Sequence, residues 1–127
     1  MKLNLIYLLI FGFILLLSGC SQILPKNSTC LNINDQEQKD QCLADLAFEN
    51  LDFNLCKDIS NNPYPELKRD TCYINIASKK NDFSVCDNIQ DQDNKKYCIS
   101  TVKKDKSYCN NIQKQEMKDL CNDIIYN

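Results

Sequence analysis

Apolar and polar positions are arranged in two different ways along this chain. Residues 3–17 are nearly all apolar, and this run is shorter than the roughly 20 residues that a membrane-spanning helix needs. After it, apolar residues recur at the helical spacing i, i+4, i+5, as at Cys42, Leu46 and Ala47. Charged stretches such as "DQEQKDQ" and "DQDNKKY" supply the solvent-facing side. No segment shows the sustained alternation of a β-strand, so the pattern predicts an all-α protein.

An eight-residue phrase occurs twice, as "DFNLCKDI" at residues 52–59 and as "DFSVCDNI" at residues 82–89. Alignment of the chain on the cysteine of this phrase shows four related repeats. Each repeat predicts a short helix followed by a longer one, so we expect four short helix-turn-helix repeats that form a small helical array. Three positions after the first cysteine, every repeat has an isoleucine: Ile33, Ile59, Ile89 and Ile112.

Every repeat also has a basic residue three positions before its second cysteine. Long basic side chains cover an apolar stripe while their charges remain in water, so we expect all four to face solvent. These residues are Lys39, Arg69, Lys95 and Lys118.

In three of the repeats an aspartate precedes the first cysteine by four positions. We predict that Asp52, Asp82 and Asp105 cap the short helices, because a carboxylate there accepts hydrogen bonds from backbone N–H groups without helical partners. An active site needs one constellation rather than one carboxylate per repeat, which disfavours acid/base catalysis. Calcium binding is the other alternative. The stretch "DQDN", residues 91–94, lacks the glycine and the terminal glutamate of an EF-hand and is interpreted as a solvated helix start.

Aromatic residues recur near the predicted connections between repeats. We interpret them as packing between repeats, with a binding patch as the alternative. They are Phe53, Phe83, Tyr97 and Tyr108.

Eight cysteines follow Cys20, and an even number in an exported chain indicates disulfides. Spacing alone does not decide among the many possible connectivities. Pairing within repeats uses every cysteine. If each second cysteine instead paired with the first cysteine of the next repeat, Cys30 and Cys121 would be left over, and a bond between them would have to bring the two ends of the array together. We therefore predict the pairs Cys30–Cys42, Cys56–Cys72, Cys86–Cys98 and Cys109–Cys121.

Metal binding by the same eight thiols is the alternative to disulfides. Structural zinc and iron–sulfur sites use closely spaced cysteine pairs, and the chain has neither such a pair nor any histidine. We predict no metal site and no cofactor.

The N-terminus has the arrangement of a secretory signal, with Lys2 before the apolar run. The run ends at Leu17-Ser18-Gly19-Cys20, which resembles the lipobox of prokaryotic lipoprotein precursors. The resemblance implies that a signal helix within residues 1–19 is removed and that Cys20 is acylated; an uncleaved signal anchor is the alternative. We predict a signal peptide at 1–19, a lipidated cysteine and tether at 20–28 and a repeat domain at 29–127.

The organisation of the repeat domain is loosely similar to that of secreted, cysteine-stapled helical proteins such as the Sel1-like cysteine-rich proteins. This resemblance implies a stapled helical scaffold, and it transfers no functional residues to this chain. The repeats here are spaced by 26, 30 and 23 residues between successive first cysteines.

Charge and composition narrow the function classes. Without residues 1–19, which contain one lysine, 14 basic and 17 acidic residues remain, a net charge of −3. A weakly acidic chain without a basic block lacks the electrostatic footprint of a nucleic-acid binder. Nucleophilic catalysis has no histidine partner, although a Ser–Lys dyad is left open. We predict a non-enzymatic protein.

The predicted function is that of an extracytoplasmic lipoprotein, held in the cell membrane or the outer membrane by the lipid on Cys20. Its stapled scaffold would serve interaction with a protein partner or the structure of the envelope. The alternatives are a carrier of a small molecule, a metal or haem, and an envelope hydrolase or its inhibitor.

Overall fold

The computed structural model describes residues 27–60 and 68–126, which contain helices and turns and no strand. The prediction of an all-α protein is confirmed for these residues. The predicted signal peptide, Cys20, most of the tether and the loop at 61–67 lie outside the described residues. The α-helices are α1 (Asn27–Leu31), α2 (Gln36–Asn50), α3 (Arg69–Lys80), α4 (Gln92–Lys103), α5 (Ser107–Asn110) and α6 (Gln115–Tyr126), and the 3₁₀ segments are η1 (Phe53–Asp58) and η2 (Phe83–Asn88).

A short helical segment is followed by a longer helix four times in this order, as α1–α2, η1–α3, η2–α4 and α5–α6. Helix α1 begins at Asn27, inside the segment that the sequence assigns to the tether. A disulfide joins each short segment to its long helix, with Cα–Cα distances of 5.5 to 5.8 Å. The structure forms the same pairs that the sequence predicts: Cys30–Cys42, Cys56–Cys72, Cys86–Cys98 and Cys109–Cys121.

Each of α2, α3 and α4 ends at a residue in the left-handed conformation. These residues are Leu51, Asn81 and Lys104, with φ of 53°, 53° and 54°. The conformation costs a non-glycine residue roughly 1–2 kcal/mol. It lets two successive N–H groups bond back to the last helical turn in the Schellman arrangement; for example, the N–H groups of Leu51 and Asp52 both reach the carbonyl oxygen of Ala47.

The aspartate that follows each left-handed residue caps the next short segment. The carboxylates of Asp52, Asp82 and Asp105 accept from the N–H two residues further on, at 3.0, 3.0 and 2.9 Å. Each pair of a left-handed residue and an aspartate reverses the chain at the end of a long helix. We call these pairs the connectors: Leu51-Asp52, Asn81-Asp82 and Lys104-Asp105.

Two clusters of buried apolar side chains form the core. The larger one runs through the first three repeats and includes Leu43, Ile59, Ile76 and Val85 together with five of the paired cysteines, and the partly buried Cys42 packs against it. The smaller one belongs to the fourth repeat and consists of Cys109, Ile112 and Cys121, with Tyr97, Met117 and Ile125 packed against it. The fourth repeat therefore has little apolar core of its own.

The four basic residues that precede the second cysteines are half-buried, so each faces solvent with only part of its side chain. The Nε of Arg69 donates to the carbonyl oxygen of Ile59 at 3.1 Å, and Lys95 forms an ion pair with Asp87 at 2.8 Å. In the second and third repeats the basic side chain therefore contacts the short segment of its own repeat.

A candidate binding groove

Helix α4 lies between α3 and α6, and these three helices enclose a groove of about 460 Å³. The groove is lined by Thr71 and Ile74 of α3, by Asn94 and Tyr97 of α4, and by residues of α6. The short segments and their disulfides are attached to the other sides of the long helices. The residues that line the groove belong to the long helices or, as with Lys68 and Lys114, directly precede them.

The wall formed by α6 is apolar. Met117, Leu120 and Ile124 follow the i, i+3, i+7 spacing that places side chains on one side of a helix. Met117 and Leu120 line the groove, and Ile124 continues the line beyond them. Leu120 is 51% exposed and Ile124 is 43% exposed. We call these three residues the α6 stripe.

The opposite wall and one end of the groove are polar. Lys68, Asp70 and Asn75 of the α3 region line it, and the side-chain amide of Asn94 donates to the carboxylate of Asp70 at 2.8 Å. This bond connects α3 to α4. The groove therefore combines one apolar wall with one polar wall.

Lys114 stands at the polar end, where α6 begins. Its ammonium group donates to the carboxylate of Asp91 at 2.8 Å. This bond lowers the pKa of Asp91 and raises the pKa of Lys114. Because Asp91 also caps α4 through the N–H groups of Asp93 and Asn94, the same carboxylate fixes the start of α4 and the position of Lys114.

The start of α6 is held by the buried carboxylate of Asp93. Its two oxygens accept from the backbone N–H groups of Gln113 and Lys114, both at 3.0 Å. The N–H of Gln113 is the main cause of the lowered pKa of Asp93, and Lys96 at 3.4 Å adds to it. The interpretation of residues 91–94 as a solvated helix start is therefore corrected: the helix starts there, but Asp93 is 6% exposed.

A buried carboxylate also joins the first two repeats. Asp40 of α2 is fully buried, and its carboxylate accepts from the backbone N–H of Ser60 at 3.0 Å, from the Ser60 hydroxyl and from the amide of Gln36. Carboxylates of three long helices therefore bond to the following repeat, at 20 to 24 residues' distance along the chain. These bonds set the spacing of the helices around the groove.

The residues that the sequence singles out lie mostly elsewhere. The three capping aspartates belong to the connectors and do not line the groove. Hydrogen bonds from the Ser84 side chain and backbone lower the pKa of Asp82, and those from the Ser107 backbone and side chain lower the pKa of Asp105. Both carboxylates therefore act as ionised caps.

Of the four aromatic residues singled out by the sequence, Tyr97 alone lines the groove. It also packs against the small core cluster, and burial raises the pKa of its hydroxyl. The Phe53, Phe83 and Tyr108 rings lie beside lysine ammonium groups near the connectors. The interpretation as packing therefore applies to Tyr97 and to Phe53, which packs against the large core cluster, whereas Phe83 is 49% exposed.

The cysteine and acidic side chains of the described residues offer no metal site. All eight cysteines of the repeats are in disulfides, so a metal carrier that depends on reduced thiols has none to offer here. Within residues 27–60 and 68–126, histidine, cysteine and acidic side chains form no group of three that could hold a metal ion.

Four disulfides indicate that the domain matures in an oxidising, extracytoplasmic environment. The part of the chain that the structure describes contains no helix with the length and apolarity to cross a membrane. Searches against protein-family models, curated proteins and solved structures found no match to the chain. The lipobox and the likeness to Sel1-like repeats stay predictions.

Proposed function

We propose that this protein is a non-enzymatic, extracytoplasmic lipoprotein that binds a protein partner in the groove between α3, α4 and α6. The observation that carries the proposal is the α6 stripe, which leaves two large apolar side chains about half exposed beside Tyr97. We propose further that the partner contributes an amphipathic helix.

The corresponding positions of the first repeat support this proposal, although in α4 the position of Leu120 is occupied by Tyr97, which packs against the small core cluster. Relative to the second cysteine, Leu120 occupies the position of Gln41 in α2, and Ile124 occupies the position of Asp45. Both α2 residues are exposed, and the amide of Gln41 donates to the carboxylate of Asp45 at 2.7 Å. Packing between repeats therefore does not require apolar residues at these positions, and their presence on α6 calls for another cause.

The two walls of the groove favour a helical occupant. The apolar side of an amphipathic helix fits the α6 stripe, and its polar side then faces Asn75 and Lys68 of the opposite wall. Lys68 at the rim favours an acidic residue at that end of the partner helix. A small-molecule carrier would need a cavity that encloses its ligand, whereas Leu120 stands half in solvent.

Anchoring through Cys20 belongs to the same proposal and rests on the lipobox. Metabolic labelling with a fatty acid tests it, since we expect label on the wild-type chain and none on a Cys20→Ser variant. Label that persists in the variant would show that the lipid is attached elsewhere.

Photo-crosslinking in intact cells tests the groove. A benzophenone amino acid replaces Leu120 in one variant and Gln41, the residue at the matched position of α2, in a control variant. We expect a protein adduct from position 120 and none from position 41. Mass spectrometry of the adduct should place the crosslink in a segment with apolar residues at i, i+3 or i+4 and i+7.

A synthetic peptide of that segment then provides the decisive measurement. We expect it to bind the wild-type protein, with spectroscopic shifts confined to the groove, and to bind at least about tenfold more weakly after Leu120→Asp, which places a charge in the apolar contact. Equal crosslinking from positions 41 and 120, or an adduct with lipid or another small molecule, would contradict the proposal. An adduct with an envelope hydrolase would show that the partner is an enzyme, as expected if this protein is an inhibitor.

A further inference from the structure

Lysines lie over aromatic rings repeatedly at the connector end of the long helices. The ammonium of Lys79 lies 3.9 Å from the centre of the Phe48 ring, and that of Lys103 lies 4.0 Å from the centre of the Phe83 ring. Lys103 also donates to the Tyr108 hydroxyl at 3.3 Å. We call this set of residues the connector edge: Phe48, Phe53, Lys79, Lys80, Phe83, Lys103, Lys104 and Tyr108.

Two of the rings at this edge are largely exposed, whereas Phe53 is partly buried and packs against the large core cluster. Phe48 is 42% exposed and Phe83 is 49% exposed, although both side chains are large and apolar. An exposed phenylalanine beneath a lysine presents an apolar surface with a cationic head above it, the combination that long amphipathic side chains form at a membrane–water interface.

Charge at the edge is distributed unevenly between surface and interior. The four lysines are exposed, whereas Asp52 and Asp82 are half-buried and turned toward the backbone N–H groups that they cap. Two exposed carboxylates stand against these four lysines, Asp105 of the connectors and Glu49 in the last turn of α2. The outer layer of the connector edge is therefore more basic than the chain as a whole.

The tether enters the domain at this same end. Asn27 precedes Cys30 by three positions, as Phe53 precedes Cys56 and Phe83 precedes Cys86. In the second and third repeats this position lies beside the end of the long helix, where Lys80 and Lys103 contact the rings. The first repeat has the same register and the same disulfide, which places Asn27 beside the end of α2.

Tether length limits how far the domain lies from its anchor. Cys20 and Asn27 are seven positions apart, and this segment spans at most about 25 Å when fully extended. The opposite end of the long helices lies beyond Asn27 by a helix length of about 20 Å. The connector edge is therefore the end of the domain nearest the anchor along the chain, and its exposed lysines and rings, rather than the tether alone, favour its contact with the membrane.

We infer that the connector edge lies against the membrane surface, with its lysines on anionic phospholipid headgroups and its rings at the interface. This inference rests on the proposed anchoring through Cys20. It assigns the groove, which lies along the sides of the long helices, to a part of the molecule that a partner reaches from the aqueous side.

Lysine footprinting of the full processed protein tests the inference. The protein is inserted into vesicles of phosphatidylcholine alone or of phosphatidylcholine and phosphatidylglycerol, and exposed amines are acylated and quantified by mass spectrometry. We expect the connector-edge lysines to be labelled about fivefold less in the anionic vesicles, the factor that one basic residue gains at such a surface. The exposed Lys57 and Lys68 serve as internal controls and should be labelled equally in both.

A pair of matched variants separates headgroup contact from proximity. Lys79→Gln/Lys103→Gln should remove most of the protection of Lys80 and Lys104, whereas Lys57→Gln/Lys68→Gln should leave it intact. Edge lysines that are labelled as strongly as Lys57 and Lys68 in both vesicle types, or protection of Lys57 and Lys68 instead, overturn the inference. Protection of the edge that is the same in both vesicle types overturns the headgroup contact. The intact mass reports separately whether Cys20 carries lipid, so failure of the anchoring proposal is recognised independently of the footprint.

Discussion

The first and last long helices occupy the same place in their repeats and differ on one side. In α2 the exposed side carries Gln38, Gln41 and Asp45, and in α6 the same positions carry Met117, Leu120 and Ile124. Both helices are joined to their short segments by a disulfide across 12 residues. The repeat template therefore specifies the cysteines and the buried positions, and it leaves this side open to variation.

The two helices also differ in what lies behind them. Leu43 and Leu46 of α2 are buried in the core cluster that extends through three repeats, whereas α6 contributes Cys121 to a buried cluster of three residues. The helix with the more apolar surface therefore has the smaller core. The partner proposed above would cover this apolar surface of α6, as exposed apolar patches at interaction sites are covered.

The largest effect that separates the two repeats should come from their disulfides. Each closes a loop of similar length, for which the chain-entropy model gives about 3 kcal/mol. In a Cys109→Ala/Cys121→Ala variant we expect α5 and α6 to exchange their amide hydrogens rapidly while α2 to α4 stay protected, because the fourth repeat has little other core.

The matched variant is Cys30→Ala/Cys42→Ala. Because Cys30 packs within the large cluster, we expect a lower denaturant midpoint for the first three repeats as one unit rather than loss of one helix. Hydrogen exchange with mass spectrometry distinguishes these outcomes. Loss of protection in the same helices in both variants would contradict the difference between the two cores.

Attachment of α2 to the next repeat depends on Asp40. Replacement Asp40→Asn removes the charge from hydrogen bonds with Ser60 and Gln36 in a fully buried site, and we expect a loss of about 1.5–3 kcal/mol in the free energy of unfolding. The control Asp45→Asn affects an exposed bond to Gln41 and should change it by less than about 0.5 kcal/mol. Denaturant titration measures both, and equal losses would show that Asp40 has no special role.

Attachment of α6 should depend on pH through Asp93. Its pKa in the folded protein is lowered, chiefly by the N–H of Gln113, from the value of about 3.9 that an unfolded chain has. The unfolded state therefore binds the proton first, so the contribution of Asp93 is fully present above pH of about 4 and is lost as the pH falls through the folded pKa.

Exchange of the Gln113 and Lys114 amides at decreasing pH, corrected for intrinsic rates, measures this dependence. We expect protection to fall in acid in the wild-type protein and to be low and nearly independent of pH in Asp93→Asn. The control Asp82→Asn alters a carboxylate whose pKa is also lowered, but at a connector, and should leave the exchange of these two amides unchanged. A wild-type profile in the Asp93→Asn variant would exclude the carboxylate as the cause.

Local signals account for what the sequence predicts well. The connector aspartates act within two residues, and each disulfide joins cysteines 12 or 16 residues apart, so both follow from the pattern of a single repeat. The helices are predicted for the same reason. The short segments are 3₁₀ in two of the four repeats, a difference that the sequence pattern does not resolve.

The contacts between repeats could not be predicted from the sequence. Asp40 and Asp93 stand in charged stretches and are indistinguishable by pattern from exposed acidic residues such as Asp45, yet both are buried by a turn 20 residues away. The groove has the same origin, because it depends on how three helices lie side by side. Comparison of Leu120 with Gln41 is the one signal in the sequence that could have located it.

The smallest effect on stability should come from making the exposed side of α6 polar. A Leu120→Gln/Ile124→Asn variant gives α6 the residue of α2 at one position and that of α3, Asn75, at the other. Because both side chains are about half exposed, we expect the free energy of unfolding to change by less than about 1 kcal/mol. Binding of the partner peptide should nevertheless be lost, since both anchors of the apolar wall are gone. Met117 is kept, because it packs against the small core cluster.

Calorimetric unfolding and peptide titration on the same sample separate the stability of the variant from its binding of the peptide. If the variant unfolds much more easily than the wild type, the α6 stripe belongs to the core of the fourth repeat, and the difference between α2 and α6 is one of folding rather than of recognition.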